Sequence, residues 1–205
     1  MKKCVTVLFV GLLIIGCMGG AQQSMTVKHY ALEYPFPRFE NLSRIEEIIR
    51  VERFTAARTF HSNEMVFRPK PYMREIYNYH RWDITPANMM TELLMRDIGN
   101  AGVFKSVFSY KDPGNARFFL EGKVEEFMEV NEEDRAWASL IVLVTFWDSS
   151  EQNPANRVIL QKKYNLLEPV KKGQPHELAR AMSTAMEKLS KELILDIYKA
   201  AGASI

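Results

Sequence analysis

The residue best placed for covalent chemistry is Cys17, which follows Leu13-Ile14-Ile15-Gly16. That block closes an N-terminal segment made of Met1-Lys2-Lys3 and an 11-residue apolar run from Val5 to Ile15. A basic start, a short apolar run and a small residue before the scissile bond describe an export signal, whereas a spanning helix needs roughly 20 apolar residues. Gly16 gives a peptidase access to the bond, and the Cys17 thiol is the nucleophile that takes a diacylglyceryl group. The expectation is a cleaved signal over residues 1–16 and a mature chain that begins at lipidated Cys17. An ordinary secreted protein whose Cys17 merely ends the signal is the competing reading.

Each buried acyl methylene contributes roughly 0.8 kcal/mol and one chain holds only marginally, so the three chains expected on such a cysteine make attachment effectively permanent. Residue 18 is Met, not the Asp that retains enteric lipoproteins in the inner membrane, which points to the periplasmic face of the outer membrane. From Met18 to Thr26 the chain is small and polar, a tether of at most about 3.3 Å per residue.

Other chemistry is sparse. Cys4 lies in the discarded signal, so no thiol remains for a disulfide, a redox pair or a metal. His29, His61, His80 and His176 are scattered without metal-binding spacing, and no metal or cofactor is expected. No Gly-x-Ser-x-Gly elbow and no phosphate-binding glycine loop occurs. Glu125, Glu126, Glu129, Glu132, Glu133 and Asp134 read as a solvated edge that discourages strand addition, in preference to an acid/base pair or a calcium loop. The aromatic block Tyr77-Asn78-Tyr79-His80-Arg81-Trp82 has the composition of an interface hot spot, so Tyr77, Tyr79, Arg81 and Trp82 are candidate partner-binding residues. The competing reading is a strand whose aromatics fill the core while Arg81 satisfies a carboxylate or a carbonyl. Phe36 and Phe39, in Pro35-Phe36-Pro37-Arg38-Phe39, are candidates for contact with a partner or lipid, or for an arm closing over its own sheet.

These residues must be positioned by a scaffold that the pattern sketches. Strands are expected at Val27–Tyr34, Ile48–Phe54, Glu64–Arg68 and Arg74–Trp82. Thr85 then reads as an N-cap with Pro86 at N1, opening a helix whose Ala87, Met90, Leu94, Ile98 and Ala101 share a face before Gly102. Four further strands, Val103–Tyr110, Arg117–Val130, Trp137–Trp147 and Arg157–Leu167, are separated by turn signals and suggest an antiparallel meander. Leu140–Val144 is apolar on both faces, as in a strand covered on both sides. Pro175 opens a last helix with Leu178, Met182, Ala185, Leu189, Leu193 and Ile197 in one stripe, a core-packing pattern and not a membrane-active one. The reading is α+β, a single domain over residues 27–205 with a mostly antiparallel sheet and two main helices.

Charge narrows the partners. The chain has 27 Lys plus Arg and 25 Asp plus Glu, and removal of Lys2 and Lys3 with the signal leaves the mature chain near neutrality. Non-specific nucleic-acid binding is therefore excluded as a main activity.

In order, the lipobox Cys17, Tyr30-Ala31-Leu32 before Pro35, Arg50–Phe54, Met65–Arg68, Tyr77–Trp82 with Pro86, Leu94, Gly102-Val103-Phe104 and Leu120-Glu121-Gly122 resemble the ABC-type transport auxiliary lipoprotein family. The resemblance covers nearly the whole mature chain, with Thr85-Pro86 where the family often has two prolines. It implies a fold similar to the N-terminal domain of the Tol-system periplasmic protein. It also implies a non-catalytic lipoprotein that docks an MCE-domain (mammalian cell entry) protein with its ABC permease and ATPase, acting in lipid or hydrophobic-molecule transport and envelope integrity. A structural assembly factor for another envelope complex is the alternative, and a lipoprotein hydrolase a residual one. The oligomeric state is left open, a homo-oligomer included.

Overall fold

The computed structural model describes residues 26–40 and 42–202, so Cys17 and the signal and tether expected around it lie outside the described residues. The longest strand organises the rest. β7 (Phe118–Glu132) is flanked along one edge by β8 (Arg135–Asp148), which is continued antiparallel by β9 (Val158–Val170). Its other edge receives three short strands laid end to end, all parallel to it: β2 (Ile45–Val51), β3 (Thr55–Ala56) and β4 (Glu64–Arg68). The sheet then forks. β6 (Phe104–Ser109) pairs parallel with β2, while β5 (Glu75–Trp82) pairs antiparallel with β4 and carries β1 (Lys28–Tyr30) parallel on its outer side.

The expected antiparallel sheet is thus corrected to a curled mixed one. Only β7, β8 and β9 form the meander; the segment at Phe104–Ser109, expected to open it, instead lies beyond β2. The physical reason is that the helix between β5 and β6 carries the chain across the sheet to the free edge of β2, where β6 pairs parallel with β2 in place of forming a hairpin with β7.

Two helices cover one face. α1 (Pro86–Ala101) begins with Pro86 at N1 and ends at Gly102, whose φ of 67° is a left-handed cap that glycine adopts without strain. Thr85 makes no side-chain capping bond, contrary to expectation, and the Met89 N–H is satisfied by the Thr85 carbonyl. α2 (Pro175–Ala200) buries the whole expected stripe of Leu178, Met182, Ala185, Leu189, Leu193 and Ile197. Opposite it, Val142, Val144 and Phe146 of β8 are fully buried. Ion pairs at the helix edge fix its register on β9: Lys162 to Glu192 and Asp196, both 2.7 Å, and Lys188 to Glu168, 2.6 Å.

Among the described residues no further layer covers the second face of β8. Ile141 and Leu143 are half-buried, and the cross-strand pair of Lys163 and Glu125, 2.7 Å apart, roofs that stretch. The extra residue of a bulge between Val124 and Glu126 puts Glu125 within reach.

Candidate docking surfaces

β5 places the first set of candidates, and its irregular pairing explains their positions. Between the partners Glu64–Arg81 and Val66–Ile76 the strand carries several more residues than β4, so residues 77–80 bulge out of the ladder. Arg81 plugs this bulge: one guanidinium nitrogen donates to the carbonyls of Tyr77 (2.7 Å) and His80 (2.9 Å). Trp82 is fully buried, edge-on to Phe127 at 5.0 Å. The Tyr77 hydroxyl donates to Glu129 Oε2 at 2.7 Å, and the other carboxylate oxygen accepts from the Gly173 N–H at 3.2 Å. Glu129 is fully buried, so these bonds supply the polar partners its burial requires. Burial first, then the Glu129 carboxylate, push the Tyr77 phenol above its ordinary value, so it remains a proton donor. Of the four β5 candidates, Tyr79 is the exposed one, at 42%.

The proline arm lies on the helices, not on the sheet. Tyr34 donates to Asp97 of α1 at 2.7 Å and stacks under Arg96 at 4.4 Å, and the Glu33 N–H donates to Ser183 of α2 at 3.0 Å. Phe39 packs against the core, whereas half-exposed Phe36 meets the Arg38 guanidinium at 5.6 Å. A small cleft opens where the arm meets α1, lined by Leu32, Ile84, Met89 and Leu93 with Glu92 and Arg96 at its rim.

A second surface was not singled out by the sequence. On the uncovered face one register line crosses five strands: Phe108 of β6, Arg50 of β2, Phe119 of β7, Trp147 of β8 and Val158 of β9. Phe119 and Trp147 stack at 4.1 Å with planes 10° apart, and Arg50 lies over Phe119 at 5.6 Å. Arg50 is held by the carbonyl of Asp112, at 3.0 Å, and by that of Gly114. At the same end Arg117 grips Asp148 with two nitrogens, the closer at 2.9 Å, and Glu47 at 3.0 Å. Val158 is 51% exposed and the two stacked rings are half-buried. A row of stacked aromatics with a fixed arginine is suited to contact with a protein surface. Local patterning does not mark it, because Phe119 stands beside Arg117, Glu121 and Lys123 on its strand face, and the line exists only once distant strands are in register.

Among the described residues no group of three or more His, Cys, Asp or Glu is arranged to hold a metal, and no helix is long and apolar enough to cross a membrane.

The family model for the ABC-type transport auxiliary lipoprotein component matches residues 30–194. No curated protein sequence matches the chain. A crystal structure of a Xanthomonas campestris protein of family DUF330 is similar in fold, with a TM-score of 0.76 at 17% identity, over 85% of this chain and 97% of that one. A second solved structure, of an uncharacterized protein, has a TM-score of 0.62 at 13% identity, over 84% of this chain and 99% of that one.

Proposed function

Since the chain belongs to the ABC-type transport auxiliary lipoprotein family, we propose that it is a lipid-anchored, non-catalytic docking subunit of an MCE-type ABC transport system. It is held on the periplasmic face of the outer membrane through Cys17. Its task is to seat the MCE-domain protein, whose permease and ATPase are separate chains, so that lipid or another hydrophobic molecule passes between membranes. Tyr79, Phe36 and the row from Phe108 to Val158 are the contact surface; Tyr77, Arg81 and Trp82 support it from within, and Phe39 secures the arm.

The observation that carries this reading is the Arg50–Phe119–Trp147 stack. Three large side chains lie ordered in one line on a face that no second layer covers among the described residues, the arrangement of a preorganised hot spot. Purification of the lipidated chain from mild detergent tests it. An MCE-domain protein identified by mass spectrometry should accompany the wild type and be lost with Trp147→Ala. Recovery of a different, defined envelope complex would favour the assembly-factor reading, and lipid hydrolysis by the purified chain would favour a hydrolase.

A further inference from the structure

The chain enters the fold heading away from an exposed loop that is both basic and aromatic. β1 runs parallel to β5, with Lys28 opposite His80 and Tyr30 opposite Trp82. The N-terminal end of β1 therefore faces the start of β5, where residues 69–74 connect β4 to β5. Lys70, Pro71, Tyr72, Met73 and Arg74 of that connection are all exposed. Tyr72 is without cover, at 106% relative exposure, and its φ of 68° is a left-handed conformation that bulky residues rarely adopt. Backbone strain at an uncovered aromatic is retained by folds where the side chain has work outside them.

We infer that this loop is a second membrane contact, seated in the bilayer that holds the lipid anchor. Tyr72 and Met73 enter the headgroup region, and Lys70 and Arg74 pair with lipid phosphates. The inference rests on the reading of Cys17 as the acylated residue. Chain length supports it. Eight residues separate Tyr72 from His80, so the loop projects at most about 26 Å beyond the start of β1. The stretch from Cys17 to Val27 spans at most about 36 Å when fully extended. A flexible chain of that length averages only about 18 Å end to end, so anchor and loop reach comparable distances and the loop can meet the lipid. Tyrosine favours the membrane interface, and lysine and arginine favour its phosphates. Glu132, Glu133 and Asp134 in the β7–β8 turn reach the same end of the sheet. They keep the whole end from lying flat on an anionic surface, so the domain stands tilted on the basic loop.

The test uses the full mature lipidated chain in vesicles of phosphatidylethanolamine and phosphatidylglycerol, with acylation of Cys17 read first by intact mass. An environment-sensitive probe is attached through Met73→Cys, or through Tyr72→Cys should the first variant misfold. A probe at Ser150→Cys, in the β8–β9 loop at the other end of the sheet, is the reference. Spin-labelled lipids are expected to quench the loop probe at least threefold more than the reference, and Lys70→Glu with Arg74→Glu should abolish that excess. Equal quenching of the two probes in an acylated protein overturns this inference and leaves the docking proposal standing. An unacylated Cys17 overturns the anchor reading itself.

Discussion

Gly122 shows at single-residue scale how tightly the strands are fitted. A Cβ there would lie 2.2 Å from the Phe54 ring, and that ring is buried where β2 and β3 meet β7. Gly122→Ala should therefore cost about 1–3 kcal/mol through overpacking, measured as a lower melting temperature, and Phe54→Leu in the same chain should recover part of the loss. Asp148 sets part of the acid limit. Burial would raise its carboxyl, but the hydrogen bonds from Arg117 and Ser150 outweigh burial and hold it below the ordinary value. A depressed folded-state pKa gives stability that is fully present above about pH 3.9 and is lost as the pH falls through the folded value. Asp148→Asn should accordingly flatten the acid limb of a stability profile, and an unchanged limb would assign acid unfolding elsewhere. The sequence displayed Leu120-Glu121-Gly122 without its reason, because the ring that demands a glycine comes from residue 54.

Among the elements, β5 and α2 make the sharpest claims. Arg81→Met removes the donor shared by two bulge carbonyls and should cost about 2 kcal/mol, with faster hydrogen exchange confined to residues 75–82 if the plug acts locally. Leu189→Ala, in the fully buried stripe of α2, should cost about 2–5 kcal/mol by leaving a cavity under the helix. Both helices were legible from their stripes, from the prolines at their starts and from Gly102, since these signals are local. All strands but the two-residue β3 were legible as strands for the same reason, though of the expected Val27–Tyr34 only Lys28–Tyr30 pairs. Their partners were not: β6 reads as part of a meander until the crossover by α1 sets it beside β2, and only long-range pairing decides that. The apolar run Leu140–Val144 suggested a second covering layer, yet the Lys163–Glu125 pair across β8 does that service with two charged side chains lying over the strand.

At the scale of the whole molecule, two helices bury one face of a curled sheet, and among the described residues no second layer covers the other. The sequence offered the aromatic block of β5 as a docking candidate beside the proline arm, with a core-filling strand as the competing reading. In the fold, Trp82 of that block is buried, Arg81 serves the backbone, and Tyr79 is left exposed, while the longer aromatic row assembles from five strands far apart in the chain. Period-two patterning reveals that a face is apolar but not which rows align across it. The central claim is that this row docks an MCE-domain protein while the anchor holds the domain at a membrane. The most direct measurement is in-cell photocrosslinking from a probe in place of Val158 in the lipidated chain, with Gln161 on the same strand as a neighbouring position and Cys17→Ser as the unanchored control. The account predicts a crosslink to an MCE-domain protein from position 158, weaker from 161 and lost in the control. Crosslinks only to other envelope proteins, or a pattern indifferent to the anchor, would contradict it.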